Sequence, residues 1–342
     1  MKDSSLTFIQ IVSAIAVIFL HVNNCFWSFS TDWYWMSANI IECVFYFAVP
    51  VFFMITGITL LDYQDRYSTK IYFQKRIEKT LVPYIAWSII GAVFLYATNR
   101  MTAEQFTVKW LINGILSTGG IISIYWFFQP LFCVYLAVPL FASIDKKKKK
   151  RILEYLIIAG CICNVIIPFV NYVLELGFSW NYKIVVASEY LLYVCGGYYV
   201  YHYPPAKKAK ILIYGLAIAG LMAHLIGTYL LSMTAGSIQY LYKGYNNLPC
   251  LLYTLGIFLL LYDAGKWLCK NQKLCAAINW LGKYTFSAYL MHWFLLVSLK
   301  NIIHVDERNL IYRLITPFVI FAVSVVITWV IRKIPVIKRI VP

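Results

Sequence analysis

Ten apolar runs, each long enough to cross a bilayer as a helix, dominate this chain of 342 residues. A transmembrane helix needs about 20 mostly apolar residues, and charged residues make up only 13% of the chain, against about 25% in an ordinary soluble domain. The sequence therefore predicts an all-α, polytopic membrane protein with about ten transmembrane helices. The predicted spans are residues 6–27, 38–61, 80–98, 121–144, 152–170, 186–203, 211–231, 249–266, 284–301 and 310–332.

Lysine and arginine are unevenly distributed between the loops that connect these spans. If the N-terminus is cytoplasmic, the loops and tails on that side hold 23 of the 30 Lys and Arg residues. Cytoplasmic loops of membrane proteins carry such an excess, so we expect both termini to be cytoplasmic and the protein to lie in the cell (cytoplasmic or inner) membrane. The same rule accounts for the net charge of +16. The expected partner is thus the lipid bilayer, and no nucleic-acid partner is predicted.

The connecting loops are too short to form a separate domain, so we treat residues 1–342 as a single integral-membrane domain. A functional site must then be built by the helices themselves. The nine cysteines include no CxxC pair, and most lie in apolar runs, where cysteine behaves as a small buried hydrophobe. Neither a metal site nor a disulfide framework is predicted.

Two histidines interrupt apolar spans, His21 in the first and His292 in the ninth. An ionisable residue inside a membrane indicates a functional site. With a rise of about 1.5 Å per residue, His21 lies in the outer half of the membrane, and His292 lies nearer the middle. Glu42 and Glu189 lie about one turn below the outer surface. We predict an outward-opening polar cavity with His21 as general base and Glu42 or Glu189 as its orienting carboxylate; interhelical hydrogen bonding is the alternative.

The stretch 63–84 is basic and predicts an interfacial helix on the cytoplasmic side that leads into the third span. Its cations include Lys75, Arg76 and Lys79. Cations at this face can bind the phosphates of a cytosolic donor. Positive charge that only sets the topology is the alternative.

Five motif-like stretches are spread over almost the whole chain. They are residues 9–21 (IQIVSAIAVIFLH), 49–57 (VPVFFMITG), 73–84 (FQKRIEKTLVPY), 125–139 (YWFFQPLFCVYLAVP) and 282–292 (GKYTFSAYLMH). In this order the chain resembles the acyltransferase-3 family of integral-membrane acyltransferases. It is most similar to short, ten-helix members that O-acetylate surface polysaccharides or their lipid-linked precursors.

The resemblance implies transfer of an acyl group, usually acetyl from cytosolic acetyl-CoA, to a hydroxyl on the far side of the membrane. The family's essential first-helix histidine falls on His21. Its basic pair before the third span falls on Arg76 and Lys79, and its late histidine falls on His292. These positions agree with the depths reached from helix rise alone.

Two positions depart from the family pattern. Family members usually have an arginine separated by ten residues from the first-helix histidine, and here that position is Gln10. Close relatives often have a second arginine four residues before the proline of the second span, where this chain has Tyr46. Lys75, Arg76 and Lys79 remain as candidate donor-binding cations, with Gln10 as a neutral contact.

The primary hypothesis is a membrane O-acyltransferase, specifically an O-acetyltransferase, with His21 as general base or as acyl carrier. Acetyl-CoA, or another acyl-CoA, is then a co-substrate, and no tightly bound cofactor is expected. The acceptor is an extracytoplasmic or lipid-linked saccharide. A transporter or flippase of such a sugar, without acyl transfer, is the alternative. Candidate substrate-binding residues are Asn23, Asn24, Tyr125 and Trp126.

Overall fold

The computed structural model describes residues 3–302, 305–335 and 337–341. Within these residues the fold is helical and contains no β-strand, which confirms the predicted all-α, polytopic class. The α-helices are α1 (Ser4–Val22), α2 (Trp33–Phe45), α3 (Ala48–Leu60), α4 (Thr69–Arg76), α5 (Val82–Ala97), α6 (Val108–Leu116), α7 (Phe128–Ala142), α8 (Lys146–Gly160), α9 (Ile167–Val173), α10 (Tyr190–His202), α11 (Lys207–Ala235), α12 (Leu248–Leu268), α13 (Gln272–Leu281), α14 (Thr285–Ile302) and α15 (Leu310–Ile331).

Eight helical runs in the described residues are long and apolar enough to cross a membrane, and they match eight of the predicted spans. The other two predicted spans coincide with α10 and α14. Helix α10 has 13 residues, about 20 Å of helix, which is shorter than the ~30 Å hydrocarbon core. The count of ten and the side of the termini therefore stay predictions. The eight runs are Ser4–Val22, Trp33–Asp65, Thr69–Ala97, Ser123–Ala142, Lys146–Val173, Lys207–Ala235, Leu248–Leu268 and Leu310–Ile331.

Two of these runs contain a π-helical turn directly before a proline. Ile77–Leu81 joins α4 to α5, and Cys161–Ile166 joins α8 to α9. Pro83 and Pro168 are the second residues of α5 and α9. Proline has no backbone N–H to donate, and a wider turn before it accommodates the interruption. The first of these turns carries Lys79 and follows Arg76, so it sets where these two cations project.

Most cations gather at one end of the bundle, the basic end, which holds the starts of α1, α8 and α11 and the ends of α3, α10 and α12. Lys149 of α8 pairs with Asp62, which follows α3, at 2.8 Å. Lys210 of α11 pairs with Asp263 of α12. Asp3, before α1, accepts hydrogen bonds from tyrosines of α10 and α12. We call the other end of the bundle the opposite end.

Helix α1 lies at the centre of the bundle, where it contacts α2, α3, α12, α13, α14 and α15. It is apolar around most of its circumference, as expected for a helix that is buried on all sides. Helix α3 is backed by α10, and two glycines permit their close approach. A Cβ added at Gly57 would lie 2.0 Å from the Val194 carbonyl oxygen, and one at Gly197 would lie 2.4 Å from Met54 Cα. Small residues of this kind let membrane helices pack closely.

Candidate active site

A cavity of about 660 Å³ runs along the inside of the bundle between α1, α3, α7 and α14. Towards the opposite end it is lined by His21 and Glu42, and at the basic end by Arg76 and Lys79. Gln10, nearly two turns after the start of α1, also lines the cavity. It lies about 16 Å along the helix from His21. One continuous space therefore connects the predicted catalytic group to the predicted donor-binding cations.

His21 occupies the last turn of α1 and lies beside His292 of α14, with 5.2 Å between the ring centroids. The turn before α14 packs closely on α1: at Gly282, three residues before α14 begins, an added Cβ would lie 2.0 Å from Thr7 Cγ2. Both histidines are predicted site residues, but their contact with each other was not predicted from the sequence.

The ring of His292 is fully buried, and its orientation is fixed by the backbone. Its Nδ1 lies 2.6 Å from the carbonyl oxygen of Tyr289, so in the neutral ring Nδ1 donates and Nε2 carries the lone pair. Within the described part of the chain, Nε2 has no hydrogen-bond partner. The Tyr289 hydroxyl in turn donates to the Ile124 carbonyl at 2.7 Å, which ties α14 to the segment before α7.

Glu42 lines the cavity, but its ion-pair partner is Lys243, a residue of the segment between α11 and α12. Glu42 Oε1 and Lys243 Nζ are 2.7 Å apart, and the two side chains are 3% and 2% exposed. Among the described residues no hydrogen bond joins Glu42 to His21, so the predicted His–carboxylate pair is not formed. The second carboxylate oxygen, Oε2, is buried and lacks a partner within the same set of residues.

Glu189, the other predicted carboxylate, lies away from the cavity that contains His21. It precedes α10 with a positive φ of 51° and is 56% exposed. Its Oε1 lies 3.4 Å from Lys183 Nζ, and the pair lines a separate cavity of about 160 Å³. The structure therefore does not bring Glu189 to His21.

The two predicted asparagine ligands do not line the cavity. Asn23 is fully buried; its Nδ2 donates to the Ala38 carbonyl at 2.8 Å, and its Oδ1 accepts from Arg313 at 3.2 Å. Both ends of this amide thus connect helices. Asn24 begins a short 3₁₀ turn, Asn24–Trp27, and is exposed.

Of the two predicted aromatic ligands, Trp126 lines the cavity and Tyr125 does not. The Tyr125 hydroxyl donates to the Leu290 carbonyl at 2.7 Å, a packing role. Trp126 stacks on Tyr245, with centroids 5.8 Å apart, and Tyr245 stacks on Tyr46 at 4.3 Å. All three rings of this column line the cavity.

The predicted donor-binding cations separate into two groups. Arg76 and Lys79 line the cavity, and the Arg76 guanidinium lies 5.4 Å from the Tyr135 ring. Arg76 Nε is buried and has no hydrogen-bond partner within the described ranges. Lys75 instead places its Nζ 3.8 Å from the Tyr67 ring and does not line the cavity.

Sequence reasoning missed three residues that line or close the cavity. Lys283 contributes a further cation at the basic end, and Tyr245 and Lys243 come from the segment between α11 and α12. All three lie in loops, where neither hydrophobic periodicity nor depth along a helix points to a site. The only sequence signal was the position of Lys283 inside the motif of residues 282–292, which also contains His292.

The fold and the cavity define an α-helical membrane protein in which one internal cavity extends from a histidine pair to the cations Arg76 and Lys79. The family model described as an acyltransferase domain, Acyl_transf_3, matches residues 3–333. The chain therefore belongs to the acyltransferase-3 family, as its motifs indicated, and is a membrane acyltransferase. No curated protein and no solved structure matches it.

Proposed function

We propose that this acyltransferase transfers an acetyl group from cytosolic acetyl-CoA to a hydroxyl of an extracytoplasmic or lipid-linked saccharide. The observation that carries the proposal is the single cavity of about 660 Å³ lined by both His21 and the cations Arg76 and Lys79. A transferase that takes its donor from one side and its acceptor from the other needs such a connection. In this proposal the basic end faces the cytosol, which its excess of cations supports.

The donor enters at the basic end. Arg76 and Lys79 have no carboxylate within ion-pair distance in the described residues, so their charges are available to an anion. Arginine binds phosphate oxygens through several donors, and lysine binds them as a point charge. With its phosphates held here, the pantetheine arm of acetyl-CoA extends past Gln10 towards His21.

The chemistry is the transfer of one acetyl group from the thioester sulfur of acetyl-CoA to the hydroxyl oxygen of the acceptor. His21 accepts the proton of the acceptor hydroxyl, the oxygen attacks the thioester carbonyl, the C–O bond forms and the C–S bond breaks. The proton then passes from His21 to the departing thiolate, which leaves as CoA-SH. In the two-step variant a His21 ring nitrogen attacks the thioester, the C–S bond breaks, and the ring proton goes to the thiolate, which leaves as CoA-SH. The acceptor oxygen then attacks the acetyl-imidazole, the C–N bond breaks, and the hydroxyl proton returns to His21. His292 acts as a positioning residue, because its fixed ring packs beside that of His21.

The test is acetyl-CoA turnover by purified protein in detergent, measured as hydrolysis and as transfer to added saccharides. We expect turnover in the wild type and a loss of about 10²-fold or more in His21→Ala, the usual contribution of a positioned acid–base group. His202→Ala, at the basic end outside the cavity, is the matched control. Equal turnover in wild type and His21→Ala would remove His21 from the mechanism. Sugar movement across membranes without any acetyl-CoA binding would support the transporter instead.

A further inference from the structure

We propose that Lys283, Lys338 and Arg339 form a second phosphate subsite at the basic end, and that this subsite takes the 3′-phosphate on the ribose of the donor. The inference rests on the proposed transferase function and adds a specificity to it: the protein distinguishes CoA from a donor that lacks the ribose phosphate. It is carried by a further cavity and by the contacts that hold residues 337–341 beside it.

A further cavity, of about 630 Å³, adjoins the main cavity that contains His21. Four of its five lining residues are cations. We call it the side cavity, and its lining residues are Lys283, Arg332, Lys338, Arg339 and Val341. Lys283 also lines the main cavity, so the two spaces meet at this residue. A donor bound along the main cavity can therefore place its outermost group in the side cavity.

The segment 337–341 is held against the helical bundle. The indole Nε1 of Trp87, in α5, donates a hydrogen bond to the Ile340 carbonyl at 2.8 Å. Val341 is fully buried and packs in the main hydrophobic core. These contacts anchor the short 3₁₀ turn Ile337–Arg339, which carries two exposed cations. The position of these cations is thus fixed by packing of the neighbouring residues.

Arg332 directly follows α15 and joins this segment to the turn before α14. Its Nε donates to the Val341 carbonyl at 2.9 Å, and its Nη2 donates to the Lys283 carbonyl at 2.7 Å. The guanidinium also lies 4.9 Å from the Tyr284 ring. Arg332 is therefore a positioning residue, because it holds Lys283 and the segment 337–341 on the same cavity.

Three cations of the side cavity lack a counter-charge within the described part of the chain. Lys283, Lys338 and Arg339 form no ion pair there. Cations that share one space repel each other, so a bound anion is favourable. A phosphate monoester carries a charge of about −1.5 to −2 at neutral pH. Arginine binds its oxygens through several donors, and lysine binds them as a point charge.

The donor has phosphates in two separate places. In CoA, a diphosphate joins the pantetheine arm to the adenosine, and a monoester is attached to the 3′ oxygen of the ribose. Arg76 and Lys79 line the main cavity that leads to His21, so they suit the diphosphate, from which the pantetheine arm extends. The ribose lies on the far side of the diphosphate from that arm. Its phosphate is therefore matched to the side cavity, which the donor reaches past Lys283.

The test measures binding of CoA and of 3′-dephospho-CoA to the purified full-length protein in phosphatidylcholine nanodiscs, by calorimetry. The two ligands differ only in the ribose phosphate, and neither carries an acyl group. We expect the wild type to bind CoA more tightly by about tenfold or more, as for the gain of one charge-assisted contact. In the double variant Lys338→Gln with Arg339→Gln, the two affinities should lie within about twofold of each other.

The matched control is Lys333→Gln. Lys333 is adjacent to Arg332 in the chain, but its Nζ lies 3.7 Å from the Trp329 ring and it does not line the side cavity. We expect its preference for CoA to equal that of the wild type. If the double variant does not fold, Lys283→Gln removes the third cation of the subsite and should also lower the preference.

The headgroup of an anionic phospholipid is the other source of a phosphate group at this face. Nanodiscs with and without phosphatidylglycerol separate it from the donor. If the subsite holds a lipid headgroup, the double variant should retain less phosphatidylglycerol through purification, while its preference for CoA over 3′-dephospho-CoA stays that of the wild type. That result overturns the assignment to the donor.

Equal affinity of the wild type for CoA and 3′-dephospho-CoA, or binding of neither ligand, also overturns the subsite. Acetyl-CoA turnover by a protein without this preference leaves the transferase function standing. A preference that falls as expected in the double variant, in a protein that does not turn over acetyl-CoA, supports the subsite and removes the transferase function. The two proposals thus fail separately.

Discussion

The charged residues at the two ends of the cavity differ in whether they have an ion-pair partner within the protein. At the opposite end, Glu42 and Lys243 are almost inaccessible and neutralise each other at 2.7 Å. At the basic end, Arg76 and Lys79 line the cavity, and neither belongs to an ion pair in the part of the chain that the structure describes. The buried pair is balanced before any ligand arrives, whereas the cations acquire a counter-charge only when an anion binds.

This difference separates stability from ligand affinity. Removing one member of a buried ion pair leaves the other charge without compensation, which destabilises the fold strongly. Removing an unpaired cation near the surface leaves no such charge behind and affects mainly the binding of anions. We therefore expect substitutions at the opposite end to alter folding first, and those at the basic end to alter donor use first.

The largest effect is expected for Lys243→Met, which should lower the free energy of unfolding by about 3–5 kcal/mol, because it leaves the side chain of Glu42 buried without its partner. The double variant Glu42→Gln with Lys243→Met should recover most of this loss. Lys79→Met at the basic end should change it by less than about 1 kcal/mol. The measurement is unfolding in detergent for the four proteins. Similar losses in Lys243→Met and Lys79→Met would contradict the contrast between the ends.

The sequence predicted the fold through two quantities, apolar length and depth. These place eight of the predicted spans on the helical runs of the structure. Apolar length and depth do not predict that α10 is short. This helix begins after Glu189, whose φ of 51° is not helical, and hydropathy gives no sign of that backbone conformation. The span at 38–61 likewise hides a change from α2 to α3 at Tyr46.

The site was predicted as far as depth alone allows. His21, Arg76 and Lys79 line one cavity, as expected from their positions along α1 and before α5. Glu189 was predicted near His21 from its depth, yet it lies in a different cavity because depth says nothing of position across the membrane plane. Helix rotation and lateral position are set by packing between helices.

The ion-pair partner of Glu42 is the clearest case of a contact that could not be predicted from the sequence. Lys243 lies 201 residues further along the chain, in a loop, and no pattern in one sequence connects the two. The pairing of His21 with His292 also depends on a tertiary contact, Gly282 against Thr7. Local sequence patterns thus predicted which ionisable residues belong to the site, whereas the partners of these residues depend on helix packing.

A substitution behind α3 should disturb both ends of the cavity together. Helix α3 lines the cavity from Val49 to Leu60, and α10 packs behind it. In Gly197→Ala the new Cβ would lie 2.4 Å from Met54 Cα, so the helices must separate. We expect a loss of about 1–3 kcal/mol in stability, with weaker binding of both acetyl-CoA and the saccharide acceptor.

The neighbouring Gly196→Ala is its matched control, because nothing lies within 4 Å of a Cβ at that position. Alanine is a better helix former than glycine, so this variant should be as stable as the wild type or slightly more so. Unfolding and ligand titrations on the pair provide the measurement. A Gly197→Ala protein that loses one ligand and retains the other would show that the two ends are not held by a common wall.

The smallest effect is expected at the basic end, where Arg76→Gln and Lys79→Gln should each raise the KM for acetyl-CoA by about tenfold. Each removes one charge-assisted contact to a phosphate, worth at least about 1.5 kcal/mol, which corresponds to a change of about tenfold. Stability should hardly change. Added salt should weaken donor binding in the wild type more than in either variant, because screening acts on charges that are open to solvent.

Lys75→Gln distinguishes the cavity from the general positive charge of this face. Lys75 is on the same helix as Arg76, but its ammonium lies on the Tyr67 ring rather than in the cavity. If phosphates are bound inside the cavity, Lys75→Gln should leave the KM for acetyl-CoA within about twofold of the wild type. If all three substitutions raise the KM equally, the cations attract the donor only through their summed field. In that case the basic end would differ from the opposite end in its surface potential, and it would not contain a defined phosphate-binding site.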